Sequence, residues 1–341
     1  MSKKVVTFGE IMLRLSPPGY QRLVQTDSLD VTYGGGESNV AVSLANYGMQ
    51  SYFVTKVPQN PLGQSAVNHL RRYGVNVDHT QWGGERLGIY FAETGASQRA
   101  SVVVYDRANS SIAGIKPGEI DWQTAFAGKD WFHFTGITPA LGDDATAVTL
   151  EAVKAAKAMG LTVSCDLNYR KKLWSMAKAN QVMSGLMEYV DVAVGNEEDA
   201  EKVFGIKAQD TDITGGKLSD TGYRQVATQL MERFKLKYVA ITLRESFSAS
   251  ENGWSALLYD GQQFVKSREY KIHIVDRVGG GDSFCGALIY ALLADYTPQQ
   301  AVDFAVAASC LKHTIPGDFN HVTLAEVEAL AGGDGSGRVQ R

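Results

Sequence analysis

Cysteine is scarce in this sequence, which contains Cys165, Cys285 and Cys310 within 341 residues. Three cysteines that lie far apart provide neither the even number of a disulfide framework nor the close spacing of a zinc site. The chain also lacks an apolar run long enough to span a bilayer. Near the N-terminus, Glu10 and Arg14 interrupt the apolar segment that a signal peptide requires. We therefore expect a protein of the reducing cytoplasm that does not enter a membrane.

Positive charge is not in excess either. The chain has 33 Lys and Arg residues against 37 Asp and Glu residues, which gives a formal net charge of −4. No block of five basic residues occurs, so the composition argues against a nucleic-acid-binding protein. The six histidines are scattered and predict no metal cluster. The hydrophobic content of 44% and the charged content of 21% are ordinary for a globular chain and exclude nothing further.

The sequence does contain a regular alternation of strand-like and helix-like segments. From residue 130 onwards, "DWFHFTGI", "LTVSCDLN", "DVAVGN" and "YVAITL" are typical of buried strands, and helical patterns separate them. This order predicts an α/β fold with three layers, in which helices cover both faces of a mostly parallel sheet.

Two polar β-like segments interrupt the alternation, at about residues 11–33 and 85–113. We interpret them as one small sheet that two excursions from the main domain form together. The predicted domain then spans residues 1–328. Residues 329–341 end in "GGDGSGRVQR", which is the composition of a disordered tail.

The strongest chemical signal is "DRVGGGDSF" (276–284), between a strand-like run and a helix-like run. Gly279, Gly280 and Gly281 expose backbone N–H groups where the helix dipole adds positive potential, which predicts a phosphate site. A helix cap would explain Asp282 but not the three glycines before it. Both are explained if Asp282 accepts a proton from a hydroxyl while the glycine amides hold a transferring phosphoryl group.

A second glycine-rich stretch, "YGGGESN" (33–39), also precedes a helix. It lacks the third glycine of the dinucleotide fingerprint, and no acidic residue occurs between Glu37 and Asp78 to bind a ribose hydroxyl. A tight turn would need a single glycine. Three glycines favour the close approach of a ligand, and Asn39 suits a polyol hydroxyl.

Polar residues that follow three other strands allow two interpretations. Asn196 and the acids after it are well explained as a helix cap and first turn. Alternatively, they mark a ligand site at the carboxyl end of a strand. "VVVYDRAN" (102–109) and "CDLNYRKK" (165–172) each end a strand with Tyr and Arg. Such arginines are usually solvated, but two Tyr/Arg clusters would suit a substrate with hydroxyls and a carboxylate.

Together these motifs resemble the ribokinase-like family of carbohydrate kinases, also called the phosphofructokinase B family. "GGGESNVAVSLANYG" and "DRVGGGDSFCGAL" are similar to its two diagnostic patterns in order and separation. The resemblance implies a three-layer ribokinase-like domain with a small β-sheet lid and ATP-dependent phosphorylation of a sugar hydroxyl. It also implies that Asp282 is the catalytic base and that Gly279, Gly280 and Gly281 form the anion hole.

Within the family, "YDRANSSIA", "DLNYRKKLW" and "KHTIPGDFNHVT" are most similar to the branch that phosphorylates 2-keto-3-deoxygluconate at its 6-hydroxyl. This similarity implies two sets of site residues. The substrate contacts would be Gly34, Gly35, Asn39, Tyr90, Tyr105, Arg107 and Arg170. The ATP contacts would be Asn168, Asn196, Arg244, Gly279 and Gly281.

The resemblance also implies cofactors and assembly. Mg²⁺ would neutralise ATP, with Asp199 holding it through a water, and K⁺ would lie near Asp276 and the 314–320 loop. The partners would be a sugar acid and ATP, and the chain would form a homo-oligomer through the lid.

The sequence departs from the family pattern at four places, and two other functions stay open. Asp199 stands where Glu is common, Arg277 where Thr is common, and Gly280 where Ala is common; residues 243–254 replace a Gly-x-x-Gly segment. A kinase for a related sugar, such as fructose or another keto-sugar acid, is one alternative. A non-catalytic sugar-acid-binding protein is the other, and the sequence does not rank gluconate-derived against galactonate-derived epimers.

Overall fold

The structure, a computed structural model, describes residues 2–196, 198–207 and 220–337. Within these residues the chain forms fifteen strands and ten α-helices. The strands are β1 (Lys4–Phe8), β2 (Met12–Ser16), β3 (Asp30–Gly34), β4 (Gln50–Val54), β5 (Lys56–Val57), β6 (Gln81–Trp82), β7 (Gly88–Glu93), β8 (Val102–Asp106), β9 (Trp131–Thr135), β10 (Thr162–Asp166), β11 (Val192–Asn196), β12 (Tyr238–Ser246), β13 (Glu251–Tyr259), β14 (Phe264–Lys266) and β15 (Tyr270–His273). The helices are α1 (Gly36–Asn46), α2 (Pro61–Arg72), α3 (Trp122–Phe126), α4 (Asp143–Ala158), α5 (Met176–Met187), α6 (Asp199–Phe204), α7 (Asp220–Phe234), α8 (Gly280–Leu293), α9 (Pro298–Lys312) and α10 (Leu324–Gly332). None of these helices combines the length and apolar composition needed to cross a membrane.

Nine of the described strands form a central sheet in the order β14-β13-β12-β11-β10-β9-β1-β4, with β15 paired to β13. The strands from β4 to β12 in this order pair in parallel, and β13 starts an antiparallel edge. Helices α3 to α7 pack on one face, and α1, α8, α9 and α10 pack on the other. The predicted three-layer α/β fold is therefore confirmed.

Consecutive residues of the parallel strands are buried on opposite faces of this sheet. Val5 and Trp131 pack with α1 and α8, whereas Val6 and Phe132 pack with α4. Because successive side chains of a strand point to opposite faces, a strand that is apolar at every position needs cover on both sides. This requirement explains why "KVVTF" and "DWFHFT" are continuous apolar runs.

The four strands β3-β2-β7-β8 form a second sheet, which we call the lid. Each of the two polar segments contributes two of its strands. β2 pairs antiparallel with β3 and parallel with β7, and β7 pairs antiparallel with β8. The register places Arg14, Tyr90 and Tyr105 in one row across the lid. These three side chains lie on the face directed at the carboxyl ends of the parallel strands.

The last helix extends into the segment predicted to be a disordered tail from residue 329. α10 continues to Gly332, because Val327 and Leu330 are buried against the core. The helix begins with a Thr323/Glu326 capping box and ends before Gly333, whose φ of 109° lies in the left-handed region. The boundary at residue 329 was therefore too early, and residues 338–341 lie outside the described part of the chain.

Candidate active site

A cleft of about 380 Å³ separates the lid from the carboxyl ends of the parallel strands. It brings together residues from all of the predicted motifs, although they are up to 247 positions apart in the chain, from Gly35 to Asp282. The predicted residues that line it are Gly35, Asn39, Tyr90, Tyr105, Arg107, Asn168, Arg170, Asn196, Asp199, Arg244, Asp276, Gly279, Gly280, Gly281 and Asp282. Gly34 does not line the cleft.

Asp282 lies in the first turn of α8 and faces the cleft. The helix starts after Gly279, whose φ of 83° is in the left-handed region that favours glycine. Asn39 Nδ2 donates a hydrogen bond of 2.6 Å to Asp282 Oδ2, and Asn39 Oδ1 accepts one from Gly35 N. Burial raises the pKa of Asp282 to about 6, and the Asn39 hydrogen bond opposes this shift. An oriented carboxylate with this pKa is mostly ionised at pH 7 and can act as a base.

The three glycines before Asp282 serve different purposes. A Cβ at Gly279 would overlap the Asp318 carbonyl oxygen, and a Cβ at Gly280 would overlap the imidazole of His313. Gly281 is exposed, with open space around its Cα. Packing inside the protein therefore requires glycine at the first two positions, whereas the third position has room for a side chain, and all three residues line the cleft.

Replacing Gly280 by alanine should lower the free energy of unfolding by about 1–3 kcal/mol, as overpacking in a filled site does. The family pattern with alanine at this position does not fit here, because the buried His313 ring fills the space and is held by Ser309 O at 2.6 Å. Chemical denaturation measures the loss. The double variant Gly280→Ala/His313→Ala lacks the ring that the new methyl group would overlap. Its loss of unfolding free energy should therefore differ from the sum of the losses in the two single variants, whereas an additive loss would contradict the overlap.

The glycines of "YGGGESN" also accommodate the protein itself. A Cβ at Gly34 would overlap the carboxylate of Asp318, and a Cβ at Gly35 would overlap the backbone carbonyl of Glu10. Asn39, predicted to contact the substrate, instead uses both ends of its amide for Gly35 and Asp282. The close approach inferred from three glycines is real, but at Gly34 and Gly35 the approaching groups belong to the chain.

The lid supplies an aromatic and cationic wall to the cleft. Tyr105 lies 5.8 Å from Tyr90 between ring centroids, and the Arg107 guanidinium lies 5.3 Å from the Tyr105 centroid. Arg107 forms an ion pair with the buried carboxylate of Glu10, which also accepts a 2.7 Å hydrogen bond from Ser110. The charge of Arg107 is therefore balanced within the protein.

Arg170 lies on the opposite wall, after β10, and is exposed to the cleft. Among the residues that the structure describes, no hydrogen bond or ion pair engages its guanidinium. Its neighbours Asp166 and Asp199 are buried, and burial raises the pKa of both carboxyl groups. Asn168, with φ of 38°, donates from Nδ2 to Asp166 Oδ2 at 3.3 Å. This wall offers an arginine cation near two buried carboxylates.

Asn196 and Asp199 exchange side chain-to-backbone hydrogen bonds at the start of α6, whose N-cap residue is Glu198. Asn196 Oδ1 accepts from the backbone amides of Glu198 and Asp199, and Asp199 Oδ2 accepts from Asn196 N at 3.0 Å. Asn196 thus binds two backbone amides at the start of the helix without being its N-cap residue, and it also lines the cleft. Asp199 and Asp166 are the carboxylates that could contact a hydrated divalent cation, which takes one or two carboxylates when phosphates supply other ligands.

Residues 243–254 form the end of β12, the turn and the start of β13. Arg244 is exposed and lines the cleft. At the turn, Ala249 O accepts a 3.0 Å hydrogen bond from Arg277 Nη2, and Ala249 N donates to Ser97 O in the lid at 2.7 Å. The turn therefore connects the glycine loop to the lid, and Arg277 makes a contact that the usual threonine is too short to make.

Several residues of the site were not predicted from the sequence. Arg14 is buried and donates to Asp318 Oδ1 at 2.7 Å and to Asp276 Oδ2 at 2.6 Å. Tyr90 OH, expected at the substrate, donates to Asp318 Oδ2. Two sequence features could have indicated such residues. Arg14 is a charged residue at an inward-facing position of a strand, and Asp166 is an acid at the end of a buried strand.

The comparisons with known proteins agree with one another. Residues 2–321 match the family model described as pfkB family carbohydrate kinase. A 2-dehydro-3-deoxygalactonokinase of Haloferax volcanii is 33% identical over 98% of this chain and 98% of its own length. A 2-dehydro-3-deoxygluconokinase of Thermoproteus tenax is 27% identical over 92% of this chain and 89% of its own. The crystal structure of a 2-dehydro-3-deoxygluconokinase from Thermotoga maritima is 53% identical, with a TM-score of 0.94, and covers 97% of this chain and 100% of that one.

Proposed function

This chain belongs to the pfkB family of carbohydrate kinases, and we propose that it transfers the γ-phosphoryl group of ATP to the 6-hydroxyl of 2-keto-3-deoxygluconate. The observation that carries the proposal is the position of Asp282. Asn39 orients this carboxylate in the first turn of α8, and the exposed Gly281 precedes it in the chain. A proton acceptor and an anion site are thus adjacent in one cleft.

Asp282, the glycine amides and the lid have separate roles in the proposed phosphoryl transfer. Asp282 accepts the proton of the 6-hydroxyl as the sugar oxygen forms a bond to the γ-phosphorus. The bond from that phosphorus to the bridging oxygen of ADP breaks, and ADP leaves with the electron pair. The amides of Gly279, Gly280 and Gly281, at the positive end of α8, stabilise the charge of the transferring group. The lid excludes water from the cleft and so prevents hydrolysis of ATP.

The substrate class follows from the cations of the cleft. A neutral hexose needs no fixed cation, whereas a sugar acid needs one for its carboxylate. Arg170 has no anionic partner at contact distance among the described residues, and Arg107 and Tyr105 lie on the facing lid. One relative is named for the galactonate-derived acid and another for the gluconate-derived acid. These two epimers differ in the orientation of one hydroxyl, so the proposed substrate class includes both.

We propose that the reaction uses ATP together with Mg²⁺. Asp166 and Asp199 fit a hydrated Mg²⁺ whose other ligands are phosphate oxygens, because both carboxylates are buried, both residues line the cleft, and no cation of the described residues forms an ion pair with either. The ion would neutralise the phosphates. Asn168, Asn196 and Arg244 remain the proposed nucleotide contacts. A monovalent cation at Asp276 does not fit, since Arg14 already binds that carboxylate.

A coupled assay of ADP release tests the proposal. We expect turnover with 2-keto-3-deoxygluconate or its galactonate epimer, and a much lower kcat/KM with fructose. Preference for fructose would replace the sugar-acid assignment by the neutral-sugar alternative. Binding of the acid without ADP release at any Mg·ATP concentration would favour the non-catalytic alternative.

Activity should depend on pH through Asp282. Because the base must be ionised and its pKa is about 6, kcat/KM should be constant above that pH and fall about tenfold per pH unit below it. A direct ADP assay across pH measures the profile. Glu37 is a second buried acid that could titrate in this range, because burial raises its pKa to about 7. Glu37→Gln is therefore the control, and the fall of kcat/KM at low pH should persist in this variant. Loss of this fall in that variant would assign the titration to Glu37.

We also propose a homodimer through the lid, acting in the reducing cytoplasm. The register aligns Val31, Leu15, Phe91 and Val104 on the outer face of the lid, and Val31 and Val104 are exposed by 60% and 48%. An exposed apolar row of this kind is typical of an interface. Light scattering should show a dimer that Val104→Glu dissociates; a monomer before substitution would refute the assembly. The three cysteines are free and buried, as suits reducing conditions.

A further inference from the structure

Lys312 is a fully buried lysine that the proposed reaction does not use. It ends α9, and its side chain lies against Gly279, the first residue of the glycine stretch 279–281 that we call the anion loop. Its Nζ donates to the carbonyl oxygens of Ile315 at 3.2 Å and Asp276 at 3.5 Å. Burying a lysine is unfavourable unless its charge is compensated, so this position needs an explanation.

The compensation comes from two carboxylates beside it. Burial lowers the pKa of Lys312, and Asp276 and Asp318 act in the opposite direction. Arg14 adds a second buried cation that joins the same two carboxylates. Two fixed cations and two carboxylates thus form a closed cluster under the anion loop.

Every carboxylate oxygen of the cluster already has a donor. Asp276 Oδ1 accepts from Val278 N, and Asp276 Oδ2 accepts from Arg14 and from Gly317 N. Asp318 Oδ1 accepts from Arg14, and Asp318 Oδ2 accepts from Tyr90. The carbonyl oxygens of Asp276 and Ile315, which are the kind of ligand K⁺ prefers, contact Lys312 instead.

We propose that Lys312, with Arg14, is a built-in cation that takes the place of a monovalent metal ion under the anion loop, so that phosphoryl transfer proceeds without K⁺. The inference rests on the proposed kinase activity. Lys312 is a positioning residue: it fixes the Asp276 carbonyl and the 314–320 loop, on which Gly279 packs.

The first experiment uses the unaltered protein. ADP release with the sugar acid and Mg·ATP is compared in K⁺, Na⁺ and tetramethylammonium salts at equal ionic strength. We expect kcat/KM to agree within about twofold, since ionic strength then screens surface charge equally. Turnover in K⁺ alone would overturn the built-in cation. Absence of turnover in all three salts, with 2-keto-3-deoxygluconate and its epimer, would instead overturn the proposed function.

The second experiment replaces the ammonium and does not depend on activity. Lys312→Ala leaves space beside two carbonyls, so K⁺ should raise its melting temperature by about 2 °C or more relative to tetramethylammonium. Lys312→Met fills the space without a charge and should show no such shift, and neither should the unaltered protein. In the kinetic assay, K⁺ should restore turnover of Lys312→Ala and should not restore turnover of Lys312→Met. A K⁺ shift in the unaltered protein, or none in Lys312→Ala, contradicts the proposal.

Discussion

Replacing Asp282 by asparagine should lower kcat about 10²- to 10⁴-fold, the range that a positioned general base contributes. Asparagine keeps the shape of the side chain, and its Oδ1 can still accept the hydrogen bond from Asn39 Nδ2. It cannot accept the proton of the 6-hydroxyl. Because the glycine amides and the cleft are unchanged, the KM values for ATP and for the sugar acid should change by less than about threefold. Steady-state kinetics with both substrates varied measures the split.

The same substitution should not destabilise the fold. The pKa of Asp282 is raised from its unfolded value to about 6, so its ionisation opposes folding as pH rises through this interval, and the effect is complete above pH 6. The neutral variant lacks this penalty. The matched control is Asp143→Asn, an exposed acid in the first turn of α4, which should keep full activity. Near-normal turnover of Asp282→Asn would refute the base assignment, and a loss of melting temperature would show that kcat fell for structural reasons.

The sequence was sufficient for the fold because its layers follow from local patterns. Apolar runs such as "DWFHFT" require burial on both faces, and alternation with helices orders the strands in parallel. The position of Asp282 at a helix N-terminus was predictable for the same reason: a glycine run, an acid and an apolar helical pattern are adjacent in the chain.

The contacts that support the site could not be predicted in this way. Arg14 meets Asp276 across 262 positions and Asp318 across 304 positions, and no local pattern relates residues at such separations. The same limit explains the glycines. Whether Gly280 is open to a ligand or closed by His313 depends on where α9 ends, which is a property of packing and not of "GGGD". Local composition correctly indicated close approach, but it could not identify the approaching group.

Arg170 should provide the largest share of sugar-acid recognition. Its guanidinium faces the cleft with no ion pair among the described residues, so a substrate carboxylate would be its first anionic partner at contact distance. Hydrogen bonds to charged groups contribute about 1.5–3 kcal/mol each, so losing a bidentate pair in Arg170→Gln should lower kcat/KM for the sugar acid about 10²-fold or more. The loss should appear in KM, while kcat at saturation changes little.

Two comparisons separate this role from others. Arg107→Gln should also raise KM, but it leaves the buried Glu10 carboxylate unpaired and so should lower stability as well, which Arg170→Gln should not. Arg244→Gln, on the β12 side of the cleft, should raise KM for ATP rather than for the sugar. The decisive measurement uses the sugar acid and its primary amide: Arg170→Gln should weaken turnover of the acid and leave the poor turnover of the amide unchanged. Equal losses for both compounds would mean that Arg170 serves the phosphates, and the carboxylate would then belong to Arg107 and the lid.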